Sequence, residues 1–132
     1  MIDTNILVSG MLFKGKERLL LKYAHDKKFT LLVSDFSIAE ARTVLTRKFP
    51  GKEYILDEII RLLPVEIVPV PSQEKIKNAQ KIIRDTKDAV ILPAAIESGL
   101  DAFVSGDKDF HTPEVKQVIN VVNTADAVEL VR

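Results

Sequence analysis

Five acidic residues stand directly beside apolar segments of this chain, and their placement predicts chemistry. They are Asp3, Glu40, Asp88, Asp107 and Asp109. In a parallel α/β sheet the carboxyl ends of the strands share one edge, so we expect these carboxylates to meet there. Two carboxylates about 4 Å apart repel by roughly 4 kcal/mol at an effective dielectric constant near 20. A cluster of them needs shared protons or bound cations, and oxygen ligands alone favour hard ions such as Mg²⁺ or Mn²⁺. The pattern is typical of a metal-dependent phosphodiester site.

Length and composition predict one globular domain over residues 1–132, with 46% hydrophobic residues. The absence of cysteine excludes disulfides and thiolate zinc sites. No apolar run approaches the roughly 20 residues that span a bilayer, and no signal-peptide pattern opens the chain. We therefore expect a cytoplasmic protein with no membrane partner.

The formal net charge is zero, with 19 basic and 19 acidic residues, so overall charge does not favour nucleic acid as a partner. Basic residues nevertheless lie close to the acids in sequence: Lys14, Lys16 and Arg18 follow Asp3, and Arg42, Arg47, Lys48 and Lys52 follow Glu40. A basic rim around an acidic cluster would suit a phosphate backbone.

Short β-rich runs alternate with longer segments of helical period, which predicts an α/β fold with a mostly parallel sheet. The predicted strands are residues 30–33, 66–70, 102–104 and 118–122, with a stub at Met1-Ile2. The predicted helices are residues 16–27, 37–48, 53–63, 73–84, 88–98 and 125–132. Ser34 and Asp35 offer N-cap oxygens to the second helix, and Gly99 is placed to end the fifth. Pro93 falls inside that fifth helix, where it removes one backbone hydrogen bond.

Four motifs together resemble the PIN-domain nucleases over essentially the whole chain. Asp3-Thr4-Asn5 resembles the opening element of that family, and Ser34 followed by Glu40 resembles its second acidic motif. The third is Asp88-Ala89-Val90-Ile91-Leu92-Pro93-Ala94-Ala95, and the last is Asp101-Ala102-Phe103-Val104-Ser105-Gly106-Asp107-Lys108-Asp109-Phe110. One such motif is weak evidence, whereas four in order and in the right local context are strong evidence.

The resemblance implies a three-layer α/β/α fold whose central, mostly parallel sheet has about five strands. It implies that Asp3, Glu40, Asp88 and Asp107 are the pocket acids, which bind Mg²⁺ or Mn²⁺ and carry catalysis. Asp109 would be an additional or alternative metal ligand, while Asn5 and Ser105 would orient the carboxylates. The implied activity is hydrolysis of RNA to 5′-phosphate and 3′-hydroxyl products. The similarity is greatest to small prokaryotic toxins of toxin–antitoxin pairs, which implies a homodimer and an antitoxin partner.

The chain departs from the family pattern at its first strand. Family members usually have several apolar residues before the first aspartate, whereas Met1 and Ile2 alone precede Asp3. Either the start of the protein lies upstream or this strand is unusually short.

Other interpretations of the chain remain open. Asp3 and Asp88 are also suited to N-capping, and Asp107 and Asp109 to a turn. A phosphorylated receiver domain needs two acids at the first strand and a phosphoacceptor aspartate after the third, which this chain does not offer. A catalytically silent PIN-like module that binds RNA or protein is the main alternative, although such modules usually lose pocket acids.

Overall fold

A computed structural model describes residues 1–132 and contains eight α-helices and four β-strands. The helices are α1 (Thr4–Leu12), α2 (Lys16–His25), α3 (Asp35–Lys48), α4 (Glu53–Leu62), α5 (Gln73–Ala79), α6 (Asp88–Glu97), α7 (Pro113–Lys116) and α8 (Thr124–Val131). The strands are β1 (Leu31–Ser34), β2 (Val65–Val68), β3 (Phe103–Val104) and β4 (Val121–Val122), with a 3-10 turn at Lys108–Phe110. None of the helices has the length and apolar character needed to cross a bilayer.

The strands form two parallel pairs that a single residue links. β1 pairs with β2 from Leu31 opposite Val65, and β3 pairs with β4 from Phe103 opposite Val121. Between the pairs, Ile2 makes one parallel bridge to Val33 and one to Val104. The prediction of a mixed α/β fold with parallel strands is confirmed.

The sheet of about five strands is present only in part, because the predicted first strand is reduced to the bridging residue Ile2. Asp3 explains why the extended segment stops there: its carboxylate accepts a hydrogen bond from the Ile6 amide and so begins α1 at Thr4. Ile2 is therefore followed directly by the cap and the first turn of α1.

Several predicted element boundaries need correction. Helix α1 was not among the predicted helices, although its nine residues lie directly after the first acid. The helix predicted over residues 73–84 ends at Ala79, and the strand predicted over 118–122 begins only at Val121. Val118 instead donates to the Val115 carbonyl in the turn that follows α7. Helix α6 continues through Pro93, which is buried.

Apolar side chains pack on both faces of the strands. Phe103 belongs to one buried cluster, with Leu92 of α6, while its neighbour Val104 belongs to a second cluster, with Leu45 of α3. Successive strand residues point to opposite faces, so helices must cover both of them. This packing fixes α1, α3 and α6 around the carboxyl ends of Ile2, β1 and β3, where the acidic residues lie.

Candidate metal centre

Asp3 is a buried carboxylate with both oxygens engaged. Its side chain is only 5% exposed, Oδ1 accepts from the Ile6 amide at 2.9 Å, and Oδ2 accepts from the Ser105 hydroxyl. Its own amide donates to the Val104 carbonyl at 3.2 Å. Asp3 is therefore held at the carboxyl end of β3 by Ser105, a residue that is 102 positions away in sequence.

The loop that follows β3 is folded by its own polar groups. The Asp107 amide donates to the Ser105 hydroxyl at 3.0 Å, and the Asp109 amide donates to Oδ1 of Asp107 at 2.9 Å. The His111 ring nitrogen Nε2 lies 2.7 Å from the Ser105 carbonyl oxygen, to which it donates. These bonds place Asp107 and Asp109 on one tight turn next to Asp3.

Asp88 is the first residue of α6, and the residue is 9% exposed. Its Oδ2 is buried without any hydrogen-bond partner. Asp85, three residues earlier, is exposed and accepts from the amides of Lys87 and Asp88 at 2.8 and 3.1 Å, so it fixes the turn into α6. A buried carboxylate oxygen without a donor is costly unless it is protonated or finds a cation.

Glu40 projects from α3 and is held by two neighbours. The Thr4 hydroxyl donates to its Oε1 at 2.5 Å, and Nζ of Lys87 lies 3.4 Å from its Oε2. Thr4 is itself buried at the first position of α1. The contact with Thr4 ties Glu40 to the segment that begins with Asp3.

Three of the acids converge closely enough to share one ion. Ligand oxygens from Asp88, Asp107 and Asp109 all lie within 4.8 Å of one another. Asp3 lies beside this group and close to Glu40, since the charges of Asp107 and Glu40 both raise the pKa of Asp3. The set offers only oxygen donors, which is what hard divalent cations such as Mg²⁺ and Mn²⁺ take.

Burial and mutual repulsion shift the pKa values of two of these acids. Burial raises the pKa of Asp88 to about 7, and the neighbouring charges of Asp107, Asp85, Asp109 and Asp3 add to that rise. Burial also raises the pKa of Asp3, as do Asp107 and Glu40, while hydrogen bonds from Ser105 and Ile6 oppose the rise. Near neutral pH the cluster therefore holds a proton that a divalent cation would displace.

The residues present fit a divalent cation. Oδ2 of Asp88 is buried and has no hydrogen-bond donor. Oxygens of three carboxylates lie close together, and the positive charge near them is too weak to balance their negative charge. The nearest cations are Lys87, 3.4 Å from Glu40, and Arg84, 3.6 Å from Asp109, and both side chains are mostly exposed. Such exposed ion pairs compensate a buried charge only weakly.

The structure brings some of the predicted site residues together but not all of them. Asp88, Asp107 and Asp109 converge, Ser105 links Asp107 to Asp3 by hydrogen bonds, and the charge of Glu40 acts on Asp3. Asn5 is exposed on α1 and makes no side-chain hydrogen bond, so its orienting role stays a prediction.

Thr4, Arg84 and Lys87 were missed by sequence reasoning. Their only signal was proximity, since Thr4 follows Asp3 directly and the two basic residues flank Asp85 just before Asp88.

A cavity lies elsewhere, at the amino ends of the strands. It has a volume of about 770 Å³ and is lined by residues that include Met1, Thr30, Leu100 and Ala102. No group of three or more metal-ligating side chains lies there. The group of Asp88, Asp107 and Asp109 lies instead at the opposite edge, near the carboxyl ends of the strands.

Fold and site together define an α/β protein with a carboxylate cluster at the carboxyl ends of parallel strands. A family model described as the PIN domain matches residues 1–109, and the chain belongs to the PIN-domain family. No curated protein matches the chain. Members of this family are generally nucleases that use divalent metal ions, and the acidic group at Asp88 is a possible metal site.

Proposed function

We propose that this protein is a Mg²⁺- or Mn²⁺-dependent endoribonuclease that hydrolyses RNA phosphodiester bonds. The observation that carries the proposal is the convergence of carboxylate oxygens from Asp88, Asp107 and Asp109, together with the buried and unpartnered Oδ2 of Asp88. Membership of a family of metal-dependent nucleases supports the reaction class.

The side chains of the cluster divide into ligands and supports. Asp3, Glu40, Asp88 and Asp107 would hold the cation, with Asp109 as a further ligand. A bound divalent cation supplies an acidified water and stabilises negative charge on the phosphate. Asp88 would have to give up its proton to act as a ligand, because only its ionised carboxylate binds a cation.

Neighbouring hydroxyl groups keep the ligands in place. Ser105 donates to Asp3 and accepts from the Asp107 amide, so a single hydroxyl orients two carboxylates. The Thr4 hydroxyl donates to Glu40 and orients that carboxylate. In the reaction the bond between phosphorus and the 3′-oxygen breaks and water oxygen joins phosphorus, which leaves 5′-phosphate and 3′-hydroxyl ends.

The biological setting belongs to the same proposal: a cytoplasmic toxin of a toxin–antitoxin pair, acting as a homodimer and held inactive by an antitoxin protein. Helices α2 and α4 differ in how far their apolar side chains are covered. Leu20 and Leu21 of α2 are buried, whereas α4 leaves Tyr54 60% and Leu62 56% exposed. Exposed apolar side chains of this kind favour an interface on α4. Light scattering of the Leu62→Glu variant tests the homodimer, and loss of a dimer is the expected result.

The nuclease is tested by incubating the purified chain with a mixed single-stranded RNA pool and Mn²⁺ or Mg²⁺. Parallel reactions contain EDTA or the Asp88→Asn variant, and the matched control is Asp101→Asn, which alters an exposed aspartate at the opposite edge. Cleavage that is lost with EDTA and in Asp88→Asn, but kept in Asp101→Asn, supports the proposal. RNA binding with neither cleavage nor metal binding would instead support the silent binding module.

A further inference from the structure

The turn between α5 and α6 carries two basic side chains that contact the acidic cluster. Nη2 of Arg84 lies 3.6 Å from Oδ1 of Asp109, and Nζ of Lys87 lies 3.4 Å from Oε2 of Glu40. Glu40 belongs to α3 and Asp109 to the loop after β3. One turn therefore places positive charge against acids from two different elements.

In both ion pairs the basic side chain is far more exposed to solvent than its acidic partner. The side chain of Arg84 is 89% exposed and that of Lys87 is 65% exposed, whereas Glu40 and Asp109 are 18% and 34% exposed. Ion pairs that involve such exposed side chains are weak. A divalent cation that binds the carboxylates would therefore displace them readily.

The backbone of the turn is fixed even if the side chains move. The Asp85 carboxylate accepts from the amides of Lys87 and Asp88, which are the first residues of the approach to α6. Once released from their carboxylates, Arg84 and Lys87 would stay at the rim of the cluster with their charges unpaired. Positive side chains at this place suit phosphate oxygens, and Arg can bind them in a two-pronged manner.

We propose that Arg84 and Lys87 are substrate-binding residues that exchange the pocket acids for RNA phosphates when a divalent cation fills the site. This inference rests on the proposed nuclease function and deepens it. The chain has no net charge, so its affinity for RNA must come from local cations such as these. Their pairing with the acids in the metal-free protein makes binding of RNA and binding of the cation cooperative.

The test compares a double variant with a control of equal charge. Arg84→Gln with Lys87→Gln removes both cations, while Lys22→Gln with Lys77→Gln removes two exposed lysines that form no ion pair. The affinity of each protein for a labelled single-stranded RNA is measured by anisotropy over a series of salt concentrations in Ca²⁺. Gel analysis afterwards checks that the RNA is intact. Calorimetry measures Mn²⁺ binding without RNA.

The expected result is specific to the first double variant. The slope of log affinity against log salt concentration becomes shallower by about 1.4, since each lost phosphate contact on a single strand contributes about 0.7. The single variants each account for about half of that change. Mn²⁺ affinity stays the same or becomes tighter, because two competing cations are gone, and the control pair keeps the wild-type slope.

Other outcomes overturn the inference in distinguishable ways. An equal change in the control pair would show that only the general field acts, and loss of Mn²⁺ binding in the first pair would show that the two cations support the site structurally. An unchanged slope with normal Mn²⁺ binding and cleavage would reject the inference and keep the nuclease. A wild-type protein that binds neither Mn²⁺ nor RNA would reject both.

Discussion

The two ends of the parallel strands in this molecule differ in what they bury. At the carboxyl ends, Asp3 and Asp88 lie among other carboxylates in a tight cluster. At the amino ends lies a cavity of about 770 Å³ that Met1 helps to line. The ammonium group of Met1 donates to the Ala102 carbonyl at 2.8 Å.

Each end shifts a pKa, but for different reasons. Burial lowers the pKa of the Met1 ammonium to about 6, and the nearby charge of Asp101 opposes that shift. For Asp88, burial and neighbouring charges act in the same direction and raise the pKa to about 7. The Met1 ammonium has an acceptor, whereas Oδ2 of Asp88 has no donor. The carboxyl ends therefore combine a perturbed pKa with a buried oxygen that lacks a donor, which makes them the candidate functional site.

The difference between the two ends is tested most directly by neutralising one acid at each end and measuring RNA cleavage. In Asp88→Asn we expect metal-dependent cleavage to fall at least about a thousandfold, roughly 4 kcal/mol in activation free energy, because a metal ligand is lost. The same loss is expected in Asp3→Asn, where asparagine can still cap α1. Single-turnover rates on labelled RNA measure both.

Stability provides the control for this prediction. Both asparagine variants should be at least as resistant to urea as the wild type in EDTA, because like-charge repulsion is relieved. Asp101→Asn, at the amino ends, should cleave at the wild-type rate. Full activity in Asp88→Asn would remove the cluster from the mechanism altogether.

Addition of metal should stabilise one end of the molecule only. At a free Mn²⁺ concentration about 100 times its dissociation constant, we expect roughly 2.7 kcal/mol of added stability, or on the order of 8 °C in melting temperature. Differential scanning calorimetry with Mn²⁺ and then EDTA measures the shift. The shift should vanish in Asp88→Asn and persist in Asp101→Asn, and an equal shift in both would place the ion away from the cluster.

The acids could be located from sequence because their positions depend on local order. Strand and helix alternation puts residues such as Asp3 and Asp107 at strand ends, and the carboxyl ends of parallel strands share an edge. Helix α3 was predicted within two residues of its observed start, since Ser34 and Asp35 mark that start and residues such as Ala41 and Leu45 form its buried face.

What could not be predicted depends on contacts that are distant in sequence. Helix α1 has apolar residues on almost every side and contains a glycine, so no hydrophobic period of 3.6 residues predicts it. The glycine, Gly10, is explained by packing on α2, because a Cβ at this position would lie only 2.6 Å from Leu21. The pairing of Asp3 with Ser105 joins opposite ends of the chain. The turn that aims Lys87 at Glu40 is set by hydrogen bonds of the Asp85 side chain.

A fall in pH should change the stability of the folded chain in opposite directions through the two ends. The unfolded chain binds a proton at Asp88 only near pH 4, but the folded chain binds it near pH 7, so protonation of Asp88 adds stability as pH falls between these values. The Met1 ammonium behaves in the opposite way: its pKa falls from 8.0 to about 6 on folding, so it removes stability as pH falls from 8 to 6. Below pH 6 the contribution of Asp88 should dominate the difference between the two ends.

Urea unfolding in EDTA measures this contribution when wild type and Asp88→Asn are compared. Between pH 6 and pH 4.5 the wild type should gain about 1 to 2 kcal/mol relative to the variant, since each pKa unit corresponds to about 1.4 kcal/mol. The comparison within one window cancels the effect of Met1. Parallel pH profiles for the two proteins would show that Asp88 titrates alike in the folded and unfolded chain.

The smallest expected effect on activity comes from the Ser105 hydroxyl, which donates to Asp3 and accepts from the Asp107 amide. In Ser105→Ala we expect kcat to fall about tenfold and stability to fall by roughly 1–3 kcal/mol, because Asp3 keeps its burial but loses a donor. Loss of that donor should raise the pKa of Asp3 further, since the hydrogen bond from Ser105 lowers it. The acid limb of the pH–rate profile should therefore move to higher pH.

A serine at the amino ends of the strands separates this electrostatic effect from a merely structural one. The Ser98 hydroxyl donates to the Ala95 carbonyl at 2.7 Å, and Ser98 lines the large cavity. Ser98→Ala should lower stability by a similar or smaller amount and leave the acid limb where it is. If Ser105→Ala also leaves the acid limb unmoved, Ser105 only shapes the loop after β3. Asp3 would then be tuned by burial and by its acidic neighbours alone.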